Sequence, residues 1–112
     1  MNLNEMAKEA LEIAEKRHEN GELKKPTTMN VLKHCAGEVV EAVEAFHYFW
    51  NEIPKTEDDL DLTIDDMVDK HKADLSLELA DVIMCILIAC AKENIDVEKA
   101  LLEVMEKNRA RV

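Results

Sequence analysis

The scarcity of chain breakers constrains this sequence more than any other feature: 112 residues contain two glycines and two prolines. A β-rich chain draws its frequent turns largely from Gly, Pro, Asn and Asp. Here Gly21, Pro26, Gly37 and Pro54 leave long uninterrupted stretches rich in Glu, Lys, Ala, Leu and Met, which favour helix. The expected fold is all-α.

Helix signals place four elements. A first helix is expected after Asn4 as cap, with an apolar stripe of Met6, Ala7, Ala10, Leu11, Ile13 and Ala14, ending near Asn20 and Gly21. Thr27 or Thr28 is a suitable cap for a second helix running to about Trp50, with Leu32, Cys35, Ala36, Val39, Val43, Phe46 and Trp50 at near-helical spacing. Pro54 is expected to break it. Asn51 to about Lys70 reads as an acidic loop with one short helix, and Thr63-Ile64-Asp65-Asp66 has the form of a capping box. A third helix entering between Asp65 and Ala73 ends near Asn94. Asp96 caps a fourth, from Val97 to about Arg109, with Ala100, Leu101, Val104 and Met105 inward.

At this length the chain is one domain, spanning 1–112, or one protomer of an oligomer. Helices this few bury a modest core, so self-association would help. The formal net charge of −11 argues against binding nucleic acid polymers or an anionic membrane surface. The apolar run Val82–Ala91 is about half of what a bilayer span needs, and reads as a core helix. Cys35, Cys85 and Cys90 are odd in number and lack C-x-x-C spacing, which suits reduced thiols in a cytoplasmic protein. No export signal is visible at the N-terminus.

Two acidic pairs carry the chemistry. Glu38-x-x-Glu41 and Glu78-x-x-Asp81 each place two carboxylates on one helix face. On a helical wheel Glu38 sits at the edge of the apolar arc and Glu41 just beyond it, while Glu78 and Asp81 share a face with Cys85 and Ile88. Facing one another, the pairs would form a nest of hard oxygen ligands suited to Mg²⁺. The plainer alternative is ordinary solvated acids, in a chain with 25 of them.

The stretch Gly37-Glu38-Val39-Val40-Glu41-Ala42-Val43-Glu44-Ala45-Phe46 resembles the first motif of the MazG-like all-α nucleoside triphosphate pyrophosphohydrolases. Glu78-Leu79-Ala80-Asp81-Val82 resembles their second motif, and Ile95–Ala100 with Lys107–Arg111 their final helix and its polar end. Gly37 stands where MazG proper has a further Glu, so the chain looks closer to the dCTP pyrophosphatase-like branch. The acidic stretch from Glu57 to Asp69 departs from the pattern. The resemblance implies a four-helix bundle-type protomer that assembles into a homodimer or homotetramer. It also implies Mg²⁺-dependent hydrolysis of a nucleoside triphosphate to monophosphate and pyrophosphate, with Mn²⁺ able to substitute. A pyrimidine dNTP and a house-cleaning role in the nucleotide pool are favoured.

Carried over residue by residue, Glu38, Glu41, Glu78 and Asp81 would be the metal ligands, and Asn108 would help hold the nucleotide. Glu41, further from the apolar arc, is the first choice to take the proton of the attacking water, with Glu38 beside it. Lys107, Arg111 and Lys55 are candidate phosphate contacts, with Arg109 in the same basic cluster, and Tyr48 and Trp50 are candidates to stack on a base. Two rivals stand beside this reading. A di-iron carboxylate bundle would use Glu15-x-x-His18 and Glu44-x-x-His47, and a non-enzymatic helical adaptor would use the acids only for solubility.

Overall fold

The computed structural model describes residues 1–56 and 64–112, with side chains described for 1–49 and 65–112. The elements in order are α1 (Leu3–Glu19), α2 (Thr28–Thr56), α3 (Ile64–Lys92) and α4 (Val97–Arg109). No strand occurs among the described residues, so the fold is all-α as the composition implies. No described helix is long and apolar enough to cross a membrane.

The helix ends follow local chemistry. The α1 cap is Asn2, two residues before the expected Asn4: its side chain accepts the Glu5 N–H at 2.8 Å. The Asn4 side chain is instead bonded to Asp96 and to the Val97 N–H at the start of α4. At the other end Gly21, at φ 76, lets the Glu22 and Gly21 N–H groups bond back to Arg17 and His18. Asn94, at φ 56, closes α3 the same way, with Ile95 N–H on the Cys90 carbonyl at 2.8 Å. Thr27 is the α2 cap, its hydroxyl accepting from Asn30 N–H at 3.2 Å.

Two expectations about the middle of the chain need correction. The second helix does not stop at Pro54 but reaches Thr56, and α3 already starts at Ile64, so much of the expected loop is helix. A proline forfeits one N–H bond and crowds the carbonyl four residues earlier. Within the last turn that penalty is confined to the helix end and does not unravel what precedes it. Thr63, the first residue of the expected capping box, lies outside the described residues.

The chain divides into two compact units, one of residues 1–34 and 83–112, the other of residues 35–82. In the first unit Ala7, Leu87 and Val97 form the core, with Leu3, Cys90 and Ala91 packed against it. The N-termini of α1 and α4 satisfy each other. Leu3 N–H donates to Glu98 Oε1 at 2.9 Å, and Val97 N–H donates to Asn4 Oδ1 at 3.0 Å. Asn4 Nδ2 in turn donates to Asp96 Oδ1 at 2.9 Å, while that carboxylate also caps α4 through Lys99 N–H. These bonds occupy first-turn N–H groups that a helix leaves without internal partners. Beyond Val97 the expected inward face of α4 is not covered. Ala100, Leu101, Val104 and Met105 are all exposed, because α4 is buried only at its first turn, where it meets α1.

The second unit is an antiparallel pair made by the later part of α2 and the earlier part of α3. Its contacts run in opposite numerical order along the two helices. The Cys35 thiol donates to the Val82 carbonyl, Glu38 and Glu41 approach Glu78, and Phe46 and Phe49 meet His71. Cys35, Glu38, Ala42 and Phe49 face His71, Leu75, Glu78 and Val82 along a seam spaced by three, four or seven residues, and all eight are buried or half-buried. Of the apolar α2 positions expected inward, only Cys35 among the described ones is shielded. Leu32, Ala36, Val39, Val43 and Phe46 are exposed, because one partner helix covers one seam and the apolar arc is wider than that.

Candidate metal centre

Three carboxylates converge in the helix pair. Glu38, Glu41 and Glu78 each offer an oxygen, and the three oxygens lie within 4.8 Å of one another. Their positions follow from the seam. Glu38 and Glu78 belong to it and are half-buried, whereas Glu41 precedes the seam residue Ala42 and is exposed on one flank. The wheel's placement of Glu38 at the apolar edge and Glu41 beyond it matches this gradient. Like charges at such a separation repel by about 1 kcal/mol per pair even in water. A cation between them removes that penalty.

The donor set fits a hard divalent ion. Carboxylate oxygens are the ligands Mg²⁺ and Ca²⁺ prefer, and opposite ligands of an octahedral Mg²⁺ stand about 4 Å apart. The three oxygens, within 4.8 Å of one another, stand near the separation of ligands around one such ion. Among the described residues this is the one cluster of His, Cys, Asp or Glu with metal-ligand proximity, and it contains no histidine. Glu15, His18, Glu44 and His47 are all exposed and stand outside it, which leaves the di-iron reading without its ligand set.

Asp81 does not join the three. It was expected in line with the core, beside Cys85 and Ile88, yet it is exposed while they are buried. In the first unit α3 forms part of the core, but at Asp81 only the single seam of the helix pair is covered. Asp81 precedes the seam residue Val82 as Glu41 precedes Ala42. Because both helices are right-handed and run in opposite senses, these two side chains emerge on the same flank of the pair.

The remaining candidates divide by location. Tyr48 precedes the seam residue Phe49, is exposed, and emerges on the flank that carries Glu41. Lys107, Asn108, Arg109 and Arg111 are exposed at the end of α4, in the other compact unit. The side chains of Trp50 and Lys55 lie outside the described residues. His71 escaped the sequence reading. It is only 9% exposed, stacks on Phe49 at a 4.0 Å centroid distance, and has no hydrogen-bond partner for its buried Nε2 among the described residues. Its place seven residues before Glu78, in the same seam, was the available signal.

No curated protein matches the chain, and neither does any solved structure. A family model does match, that of the MazG nucleotide pyrophosphohydrolase domain, over residues 23–112, which include both acidic pairs and all of α2, α3 and α4. The match favours a hydrolase over a non-enzymatic adaptor. Spanning most of the sequence, it shows that the chain belongs to the MazG family of nucleoside triphosphate pyrophosphohydrolases, all-α enzymes that act on acid anhydrides.

Proposed function

We propose that the protein hydrolyses a nucleoside triphosphate, a pyrimidine dNTP by preference, to the monophosphate and pyrophosphate, with Mg²⁺ held by Glu38, Glu41 and Glu78. The convergence of these three carboxylates within 4.8 Å carries the reading. Enzymes of this family are typically dependent on a divalent metal. Asp81, on the same flank as Glu41, would be the fourth ligand to such an ion.

Bound Mg²⁺ supplies charge neutralisation and orientation of the phosphate oxygens. The chain's own residues supply the rest. Glu38 and Glu78, held in the helix seam, fix the site against α2 and α3. Glu41, exposed on the flank, accepts a proton from the attacking water as its oxygen bonds to the α-phosphorus. The bond between the α-phosphorus and the bridging oxygen breaks, and pyrophosphate departs with both bond electrons. Tyr48 lies two turns along α2 from Glu41, about 10 Å, and offers an aromatic face to the base. Lys107, Arg111 and Lys55 are the proposed phosphate contacts, Asn108 is proposed to help hold the nucleotide, and Trp50 is the second candidate to stack on the base. The biological role that fits is cleansing of the nucleotide pool.

A panel of canonical and modified NTPs and dNTPs tests this, with Mg²⁺ present and monophosphate and pyrophosphate scored separately. Turnover is expected, greatest for a pyrimidine deoxynucleotide. Turnover confined to purine ribonucleotides would overturn the substrate assignment.

A further inference from the structure

The flank that carries Glu41 continues past the carboxylates, and its far end holds a cation. Phe49 and His71 are in ring contact, nearly parallel at a 4.0 Å centroid distance. Tyr48 and Lys70 each stand one residue before one of these rings, as Glu41 and Asp81 stand one residue before Ala42 and Val82. By the same handedness Tyr48 and Lys70 emerge on the flank of Glu41, level with each other across the groove between the two helices. Packed helix axes stand about 8–10 Å apart, which leaves room for a flat ring between a phenol on one wall and an ammonium on the other. Both side chains are exposed, and Lys70 makes no ion pair among the described residues. The α3 residues that precede seam positions are Lys70, Asp74, Leu77 and Asp81, and of these Lys70 alone is cationic.

The lean of the two side chains decides what Lys70 meets. A helical side chain tilts toward the N-terminus of its own helix. Because the helices are antiparallel, Tyr48 leans toward Glu41 and Lys70 leans away from the carboxylates. Lys70 also precedes Glu78 by eight residues, about 12 Å along α3. Its ammonium therefore points away from phosphates held at the carboxylates and toward the far edge of a base stacked on Tyr48.

We propose, resting on the assignment of Tyr48 to the base, that Lys70 reads the pyrimidine ring at C4, the position opposite the sugar bond. An ammonium offers three donors and no acceptor. Uracil and thymine present a carbonyl oxygen at C4 that accepts from it, whereas cytosine presents an amino group, itself a donor. A cytosine in this place would set donor against donor and leave the pair unbonded. The substrate class is then the 4-oxo pyrimidine nucleotides, those of uracil or thymine, and Lys70 is the residue that selects them.

Calorimetric titration of the full chain with the α,β-imido analogues of dUTP, dCTP and dATP, in Mg²⁺, tests the proposal without turnover. The wild type should bind the dUTP analogue at least roughly tenfold more tightly than the dCTP analogue. Lys70→Met keeps most of the stem and should bring the two affinities within about twofold of each other. Lys70→Arg, still a donor-only cation, should retain the preference, and Lys70→Glu, an acceptor, should turn it toward cytosine. Lys70 is exposed, so far-UV circular dichroism should show wild-type helicity in all three variants. A wild type that binds the dUTP and dCTP analogues alike, or neither, would overturn the proposal. So would a loss in Lys70→Met that is equal for all three analogues, which would mark a phosphate contact instead. Pyrophosphate release from dUTP is scored separately: its absence would refute the hydrolysis reading, while the base preference and its loss in Lys70→Met would still support this one.

Discussion

Replacing His71 by Phe should stabilise the protein, an outcome opposite to that of most core substitutions. The imidazole is 9% exposed, and its Nε2 is buried without a hydrogen-bond partner among the described residues. Burying such a group unpaired costs roughly 1–3 kcal/mol. What holds it there is ring contact: Phe49 lies parallel at 4.0 Å and 7°, and Phe46 tilts against it at 5.6 Å and 47°. A phenyl ring keeps both contacts and removes the unpaired nitrogen. Its extra volume takes back about 1 kcal/mol at most, since the half-exposed Phe46 can yield outward. The net gain is about 1 kcal/mol, and for a domain of this size the Tm rises by about 4–8 °C. Thermal unfolding followed by circular dichroism at 222 nm reads it directly. A Tm below the wild type, with helicity unchanged, would mean that Nε2 makes a bond worth more than its desolvation, and the reasoning would fail.

Three further outcomes follow from other parts of the chain. Glu78→Gln, or Glu38→Gln, should raise the Mg²⁺ concentration for half-maximal activity at least tenfold while leaving Tm close to that of the wild type, as a lost ligand does and a lost core residue does not. Asn4→Ala strips the Val97 N–H and the Asp96 carboxylate of their partner, so urea unfolding should show a loss of about 1–2 kcal/mol. The Asp96 carboxyl is held below its ordinary range, first by the Asn4 side-chain amide and then by the Lys99 N–H. A depressed carboxyl stabilises the fold fully above its unfolded pKa and loses that contribution as pH falls through the folded value. The Asp96 contribution should therefore be intact at neutral pH and fade below about pH 4, with Asp96→Asn flattening that part of the acid-unfolding profile.

The sequence made the helices and several of their ends readable because those depend on local chemistry. Gly21, Thr27 and Asp96 act where their side chains or backbone freedom say they should. Asn4 misled because a capping residue is chosen by what stands across from it as well as by its own type. Here Asp96 and Val97 of a distant segment claim its amide, and Asn2 caps in its place. The pairing of Glu38 and Glu41 with Glu78 was legible from spacing, since period and handedness bring those oxygens together. Asp81 was misplaced because helical period says which residues share a face and not how far along a helix that face is covered. The exposed residues Leu101, Val104 and Met105 make the same point: helical spacing marks an apolar face of α4 and does not say how far along the helix this chain covers it.

The most direct test of the central claim is ³¹P NMR of a dNTP incubated with the wild type and with a Glu38→Gln/Glu41→Gln/Glu78→Gln variant, each with Mg²⁺ and with a chelator. The wild type with Mg²⁺ should give the monophosphate and pyrophosphate in equal amounts, and the other three samples should leave the triphosphate intact. Release of orthophosphate, or pyrophosphate from the triple variant at the wild-type rate, would contradict the assignment of the chemistry to these three carboxylates.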